Sequence, residues 1–367
     1  MIYLVYLITV PLYIAMFMQP GVQKTLSSLG PTHGLEVPAM IFITWICALL
    51  CTTLHELGHL LAARHQGFQV TSIQVFHVLV IHEEEGWRLR WKAPPRGYQG
   101  MVTAETTLQM LQGRLAPRYV WLWTAGVVMD VLTLLVATTG FSLTSGVPQV
   151  LWGCLAIYSV YSILWNLYPL QTEHMTHDGW FLWNLWKFRT DAEPLMVLYC
   201  MQSLLRRVRA EDIPLEPLQK AAHQAKHPQL ITRLLWMLHH HQVSHKKIPE
   251  AMDTLKTFRT LADPEAWGGV SDWSEAYVQA RHLENPQRAR ELQNSPCPEW
   301  WPQLFQALVE VVTLTAENKG DLALERIEKI REEVKAGIHQ TYPGTFEELQ
   351  ELETEARDRL SLSSTAF

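Results

Sequence analysis

The sequence predicts a mainly α protein in two parts. A bundle of membrane-spanning helices carrying a small β-hairpin comes first, and a soluble all-α domain follows. Three observations lead there. Residues 1–23, 37–54 and 131–172 contain no Asp, Glu, Lys or Arg. From about residue 187 onward charge is spread throughout. Between the apolar runs, FQVTSIQVFHVLVIHEEEGWRLRWKAP alternates apolar and polar residues around a Glu-Gly turn, which is the period of paired strands. At 367 residues the chain has room for both parts.

A hydrocarbon core about 30 Å thick takes roughly 20 residues of helix. Four spans are expected, over about 1–18, 37–63, 119–139 and 150–170. The first has no basic leader and no small-x-small cleavage site, so it reads as a retained helix rather than a signal peptide. The length of the charge-free run, with Trp and Tyr near the expected interfaces, makes the others lipid-facing helices rather than buried helices of a soluble core. The hairpin covers about 68–93. Trp180, Trp183 and Trp186 recur every three residues and suggest an amphipathic helix at the membrane interface.

Residues 1–189 thus form the transmembrane domain and 190–367 a helical one. In the latter, FQALVEVVTLTAENKGDLALERIEKIREEV reads as helix, turn and helix, and KIPEAMDTLKTFRTLAD begins another helix. Such hairpins resemble tetratricopeptide-type repeats, scaffolds that bind a protein or peptide partner. The stretch LHHHQVSHKK, 238–247, reads as an exposed helix end.

The formal net charge of −6 and the lack of a basic patch argue against a nucleic-acid partner. The five cysteines, at 47, 51, 154, 200 and 297, are odd in number and form no disulfide framework. No P-loop, dinucleotide fingerprint or G-x-S-x-G elbow occurs.

Loop charge sets orientation. Arg64, Arg88, Arg90, Lys92, Arg96, Arg114 and Arg118 lie between the second and third spans, whereas only Lys24 lies between the first and second. The positive-inside rule puts 64–118 in the cytoplasm. By parity, whatever follows Leu170 emerges on that same side, including the helical domain.

That parity bears on LHELGHLLAAR, 54–64, in the second span. Residues i and i+4 share a helix face, so His55 and His59 can bind one Zn²⁺ with Glu56 beside it as general base. Ionisable groups at membrane depth are expensive and usually functional. A third ligand must come from elsewhere. After the fourth span, NLYPLQTEHMTHDGW offers Asp178 on the same membrane face, with Glu173, His174 and His177 as rival donors. Asn166 is a candidate donor to a developing oxyanion, or else a packing amide. Asp130, an acid inside the third span, reads mainly as one side of a helix–helix hydrogen bond. Cys47 and Cys51 read as small packing residues.

With HELGH in one span and N-x-x-P followed by D-G at the end of a later one, residues 40–190 resemble the site-2 protease family of intramembrane zinc metalloproteases. The resemblance does not reach the C-terminal half. That family also carries an A-G-P-x-x-N-like motif, matched here by Ala125-Gly126-Val127-Val128-Met129-Asp130, where Val127 replaces the proline and Asp130 the asparagine. The interval from Pro169 to Asp178 is four residues longer than the family's. The resemblance implies an integral membrane protein of a bacterial plasma membrane, with its active site near the cytoplasmic side. It implies hydrolysis of a membrane-protein substrate within or beside the lipid bilayer, and a membrane-associated sheet whose edge pairs with extended substrate. His55, His59 and Asp178 would hold zinc, and Glu56 would move the proton. A second reading is a catalytically silent membrane scaffold of the same family, acting through its helical domain.

Overall fold

In the computed structural model the described residues are 2–28, 36–83, 85–95, 98–172, 176–298, 303–336 and 345–364. They form two compact units, Met1–Ala192 and Glu193–Phe367.

The first unit opens with α1 (Ile2–Phe17) and α2 (Pro20–Ser28), both packed against a later helix, α5. Then α3 (Glu36–Gln66) leads into a sheet of β1 (Gln69–Val75), β2 (Val78–Glu83), β3 (Gly86–Trp91) and β4 (Gly100–Glu105). After the sheet come α4 (Ala116–Leu143), α5 (Val147–Leu167) and α6 (Asp178–Lys187). Three helical segments, Ile41–Gln66, Ala116–Leu143 and Val147–Leu167, are long and apolar enough to cross a membrane. Helix α1 falls short of the expected first span: its 16 residues rise about 24 Å.

The outer faces of these helices are apolar. Ile41, Phe42, Trp45, Leu132, Leu135 and Val136 are all exposed. A helix facing water would carry polar residues there. Hydroxyls along α4 are satisfied within the helix: Thr133 donates to the Met129 carbonyl, Thr138 to Leu134, Thr139 to Leu135 and Ser142 to Thr138. Such bonds let a hydroxyl sit where no water reaches. Inside the bundle Met16, Val22, Cys47, Cys51, Ala137, Val150 and Cys154 form one core, so the two cysteines of α3 are packing residues.

The sheet is antiparallel in the order β3-β2-β1-β4. The expected Glu-Gly turn joins β2 to β3, with Glu83 opposite Gly86. The segment expected to be a hairpin instead holds three strands of a four-stranded sheet, in which β1 pairs with β2 on one side and β4 on the other. Strand β3 exposes Trp87, Leu89 and Trp91 on one face and Arg88 and Arg90 on the other. In α6, Trp183 and Trp186 are exposed and Leu185 is buried, the two-faced helix that the Trp spacing predicts.

The second unit is all helical. It comprises α7 (Ala192–Leu204), α8 (Glu216–Gln224), α9 (Pro228–Ser244), α10 (Ile248–Leu261), α11 (Pro264–Trp267), α12 (Val270–Arg281), α13 (Pro286–Gln293), α14 (Gln303–Ala316), α15 (Gly320–Lys335) and α16 (Thr345–Ser364). A proline in the first turn starts α8, α9, α10, α11 and α13, where its missing N–H costs nothing. Consecutive helices pack as pairs, α9 on α10, α12 on α13 and α14 on α15.

The histidine-rich stretch is not an exposed helix end. His239 and His241 are buried, because α9 packs against both α8 and α10. His239 Nδ1 lies 2.9 Å from the Ala251 carbonyl of α10. Burial pushes His239 and His241 each down to about 4, and His240 well below its ordinary value. In the unfolded chain a histidine titrates near 6.5. The stability from keeping these rings neutral is therefore present above about pH 6.5 and is lost as pH falls towards 4. At the limit each of His239 and His241 costs about 3 kcal/mol. Amide hydrogen exchange in the intact protein is expected to show the second unit opening between pH 6.5 and 4.5. Replacing His239 and His241 with Leu should weaken that response, with His240 retaining part of it, and an unaltered response in the double variant would refute the assignment.

Candidate metal centre

The site sits where α3, α4 and the start of α6 meet. Helices α3 and α4 run antiparallel, since His59 faces Leu122 while His55 faces Asp130. Helix α5 returns antiparallel to α4, with Ser162 on Asp130 and Trp152 against Gly140. The chain therefore leaves α5 at the end of the bundle that holds His55 and His59, as the parity argument requires.

The loop to Asp178 is long in sequence and short in space. His177 N–H donates to the Leu170 carbonyl at 3.0 Å, and Gln171 forms a β-bridge with Thr176. These contacts draw the two ends of the loop together next to Asp178. Gly179 then docks the first turn of α6 on the end of α5, where any Cβ would overlap the Leu167 carbonyl. Tyr98 adds a tie, accepting the Thr176 N–H at 2.8 Å.

Three donor atoms converge. His55 Nε2 and His59 Nε2 lie 3.1 Å apart. Asp178 Oδ2 is 3.5 Å from the first and 3.1 Å from the second. Tetrahedral zinc with ligands at about 2.0–2.2 Å spaces its donors roughly 3.3–3.6 Å apart, a range that includes the 3.5 Å separation and exceeds the two of 3.1 Å by about 0.2 Å, a small adjustment. The tautomers fit too. His59 Nδ1 lies 2.8 Å from the Leu122 carbonyl, which can only accept, so Nδ1 carries a proton, and in the neutral ring Nε2 presents a lone pair. His55 Nδ1 lies 2.8 Å from Asp130 Oδ2, which leaves its Nε2 bare in the same way. Asp178 opens α6 and presents its carboxylate to the two ring nitrogens. The N-terminus of α6 favours its negative charge.

Small residues make the room. A Cβ at Gly126 would overlap His59 Nε2 and crowd the His55 ring. Glu56 is buried on the other flank, against Gly100, where a Cβ would overlap its carboxylate. Gly100 is the first residue of β4, an edge strand of the sheet.

Of the rival donors, Glu173 and His174 lie outside the described residues. His177 is buried but packs its ring against Trp165 and Tyr168, at 5.0 and 6.4 Å between centroids. Among the described residues His55, His59 and Asp178 form the one group with metal-ligand spacing. Asn166 donates to Ser162 Oγ at 3.1 Å, and Ser162 to Asp130 Oδ2 at 2.8 Å. Asp130 does make the helix–helix hydrogen bonds expected of it, and one partner is His55 itself. Ser162 was not legible as part of this chain, although its i, i+4 spacing from Asn166 is the signal that pairs the two. The chain matches no protein-family model, no curated protein and no solved structure.

Proposed function

We propose that the first unit is an intramembrane zinc endopeptidase that hydrolyses peptide bonds of membrane-spanning or membrane-proximal proteins. The supporting observation is the meeting of two imidazole nitrogens and one carboxylate oxygen at 3.1–3.5 Å, beside a buried Glu56. With both rings neutral the three donors turn lone pairs on one point, and a dication there serves all three.

Bound zinc supplies a Lewis acid, polarising a carbonyl oxygen and lowering the pKa of water. His55, His59 and Asp178 hold it. Glu56 takes the proton of the attacking water on a carboxylate oxygen and passes it to the leaving amine. Among the described residues no strand pairs with the outer edge of β4, which begins at Gly100 against Glu56, so an extended segment paired there runs past the base. A membrane helix must unwind into such a segment before its peptide bonds are accessible. The aromatic faces of β3 and α6 suit the bilayer interface. By the positive-inside rule, the basic loop between α3 and α4 supports a cytoplasmic location for this end of the bundle.

The test uses the full chain in lipid with a reporter membrane helix. Equimolar zinc is expected by elemental analysis. A chelator should abolish cleavage, and added zinc should restore it. Cleavage that survives complete removal of metal would overturn the reading.

A further inference from the structure

We infer that Asp130 is a positioning residue that holds His55 in its metal-binding tautomer and strengthens it as a ligand. The inference rests on the reading of the site as a metal centre and names a residue outside the ligand set.

Asp130 is fully buried in the middle of α4. A lone carboxylate there is expensive, so its partners must account for it. They come from two other helices. From α3, His55 Nδ1 lies 2.8 Å from Oδ2, and Cys51 Sγ donates to Oδ1 at 3.6 Å. From α5, Ser162 Oγ donates to Oδ2 at 2.8 Å. Ser162 has one proton. Because Asn166 already donates into its oxygen, that proton goes to Asp130. Every neighbour thus treats Asp130 as an acceptor, and His55 Nδ1 must be the donor. The Nε2 lone pair then points away from Asp130, towards His59 and Asp178.

The two imidazoles are held differently. His59 leans on a neutral carbonyl, whereas His55 leans on a carboxylate. A carboxylate behind the ring makes the far nitrogen more basic, and losing such a partner typically weakens metal binding about 10–100-fold. A group that merely tied helices together would affect stability alone.

The experiment uses the full-length protein, measuring zinc affinity by chelator competition and the visible absorption of the cobalt-substituted form. Asp130→Asn keeps the shape and an acceptor oxygen but removes the charge. Asp130→Ala removes both. Zinc affinity is expected to fall about tenfold in the first and towards 100-fold in the second, with an altered cobalt spectrum in each. Should the Ala variant fail to fold, the Asn variant decides. Parental affinity and spectrum in a folded Asp130→Asn would overturn the inference while leaving the metal centre intact. A parent protein that binds no zinc, or a His55→Ala variant that binds it as tightly as the parent, would instead bring down the metal-centre reading and this inference with it.

Discussion

Glu56→Gln is expected to leave zinc bound and cut turnover by about 10²–10⁴-fold, the range for losing a general base. Glu56 stands outside the group of three candidate donors, His55, His59 and Asp178. The substitution keeps the side chain's size, which matters because its carboxylate already lies against the Gly100 backbone. Glutamine cannot take a proton from water or return one to an amine. The pair of measurements is metal content and cleavage rate on one preparation. Parental cleavage with metal retained would show that the proton passes through another group. If zinc is lost together with activity, Glu56 has a structural share in the site that its position does not suggest.

Gly126→Ala is expected to lower zinc affinity about 100-fold or more while the bundle still forms. The added methyl would enter the space of both ring nitrogens that carry the lone pairs. Overpacking a tight site typically costs 1–3 kcal/mol. The rings are its least constrained neighbours, and turning either one breaks the Nδ1 hydrogen bond that sets its tautomer. Gly140→Ala is the control. Its methyl would meet the Trp152 ring at the far end of the bundle, so it should perturb packing without touching the metal. Equal zinc affinity in the two variants would remove Gly126 from the account.

Much of this site was legible because its signals are local. His55, Glu56 and His59 share one helical turn, and spacing alone puts the two rings side by side. Asp178 needed one further step, counting membrane crossings to learn which end of the bundle it reaches. Its longer approach loop looked like a departure in sequence, and it proves harmless because Leu170 and His177 close it. The role of Asp130 could not be read in full. It depends on how α4 is rotated about its own axis relative to α3 and α5, and an isolated acid in an apolar run shows only that some partner exists. Strand β4 was missed because GMVTAE has little alternation and follows a Pro-Pro pair, so its pairing with β1 is decided by the tertiary fold. The buried histidines of α9 were misjudged on composition, which counts imidazoles without saying which helix face meets a neighbour.

The three candidate donors come from places far apart along the chain, two from the end of α3 and one from the start of α6. An ion held by all three would be a rivet as well as a reagent. It would fasten the entrance of the sheet-bearing loop to the exit of α5 and close everything between into a ring. Departure of the ion and parting of those two segments would then be one event.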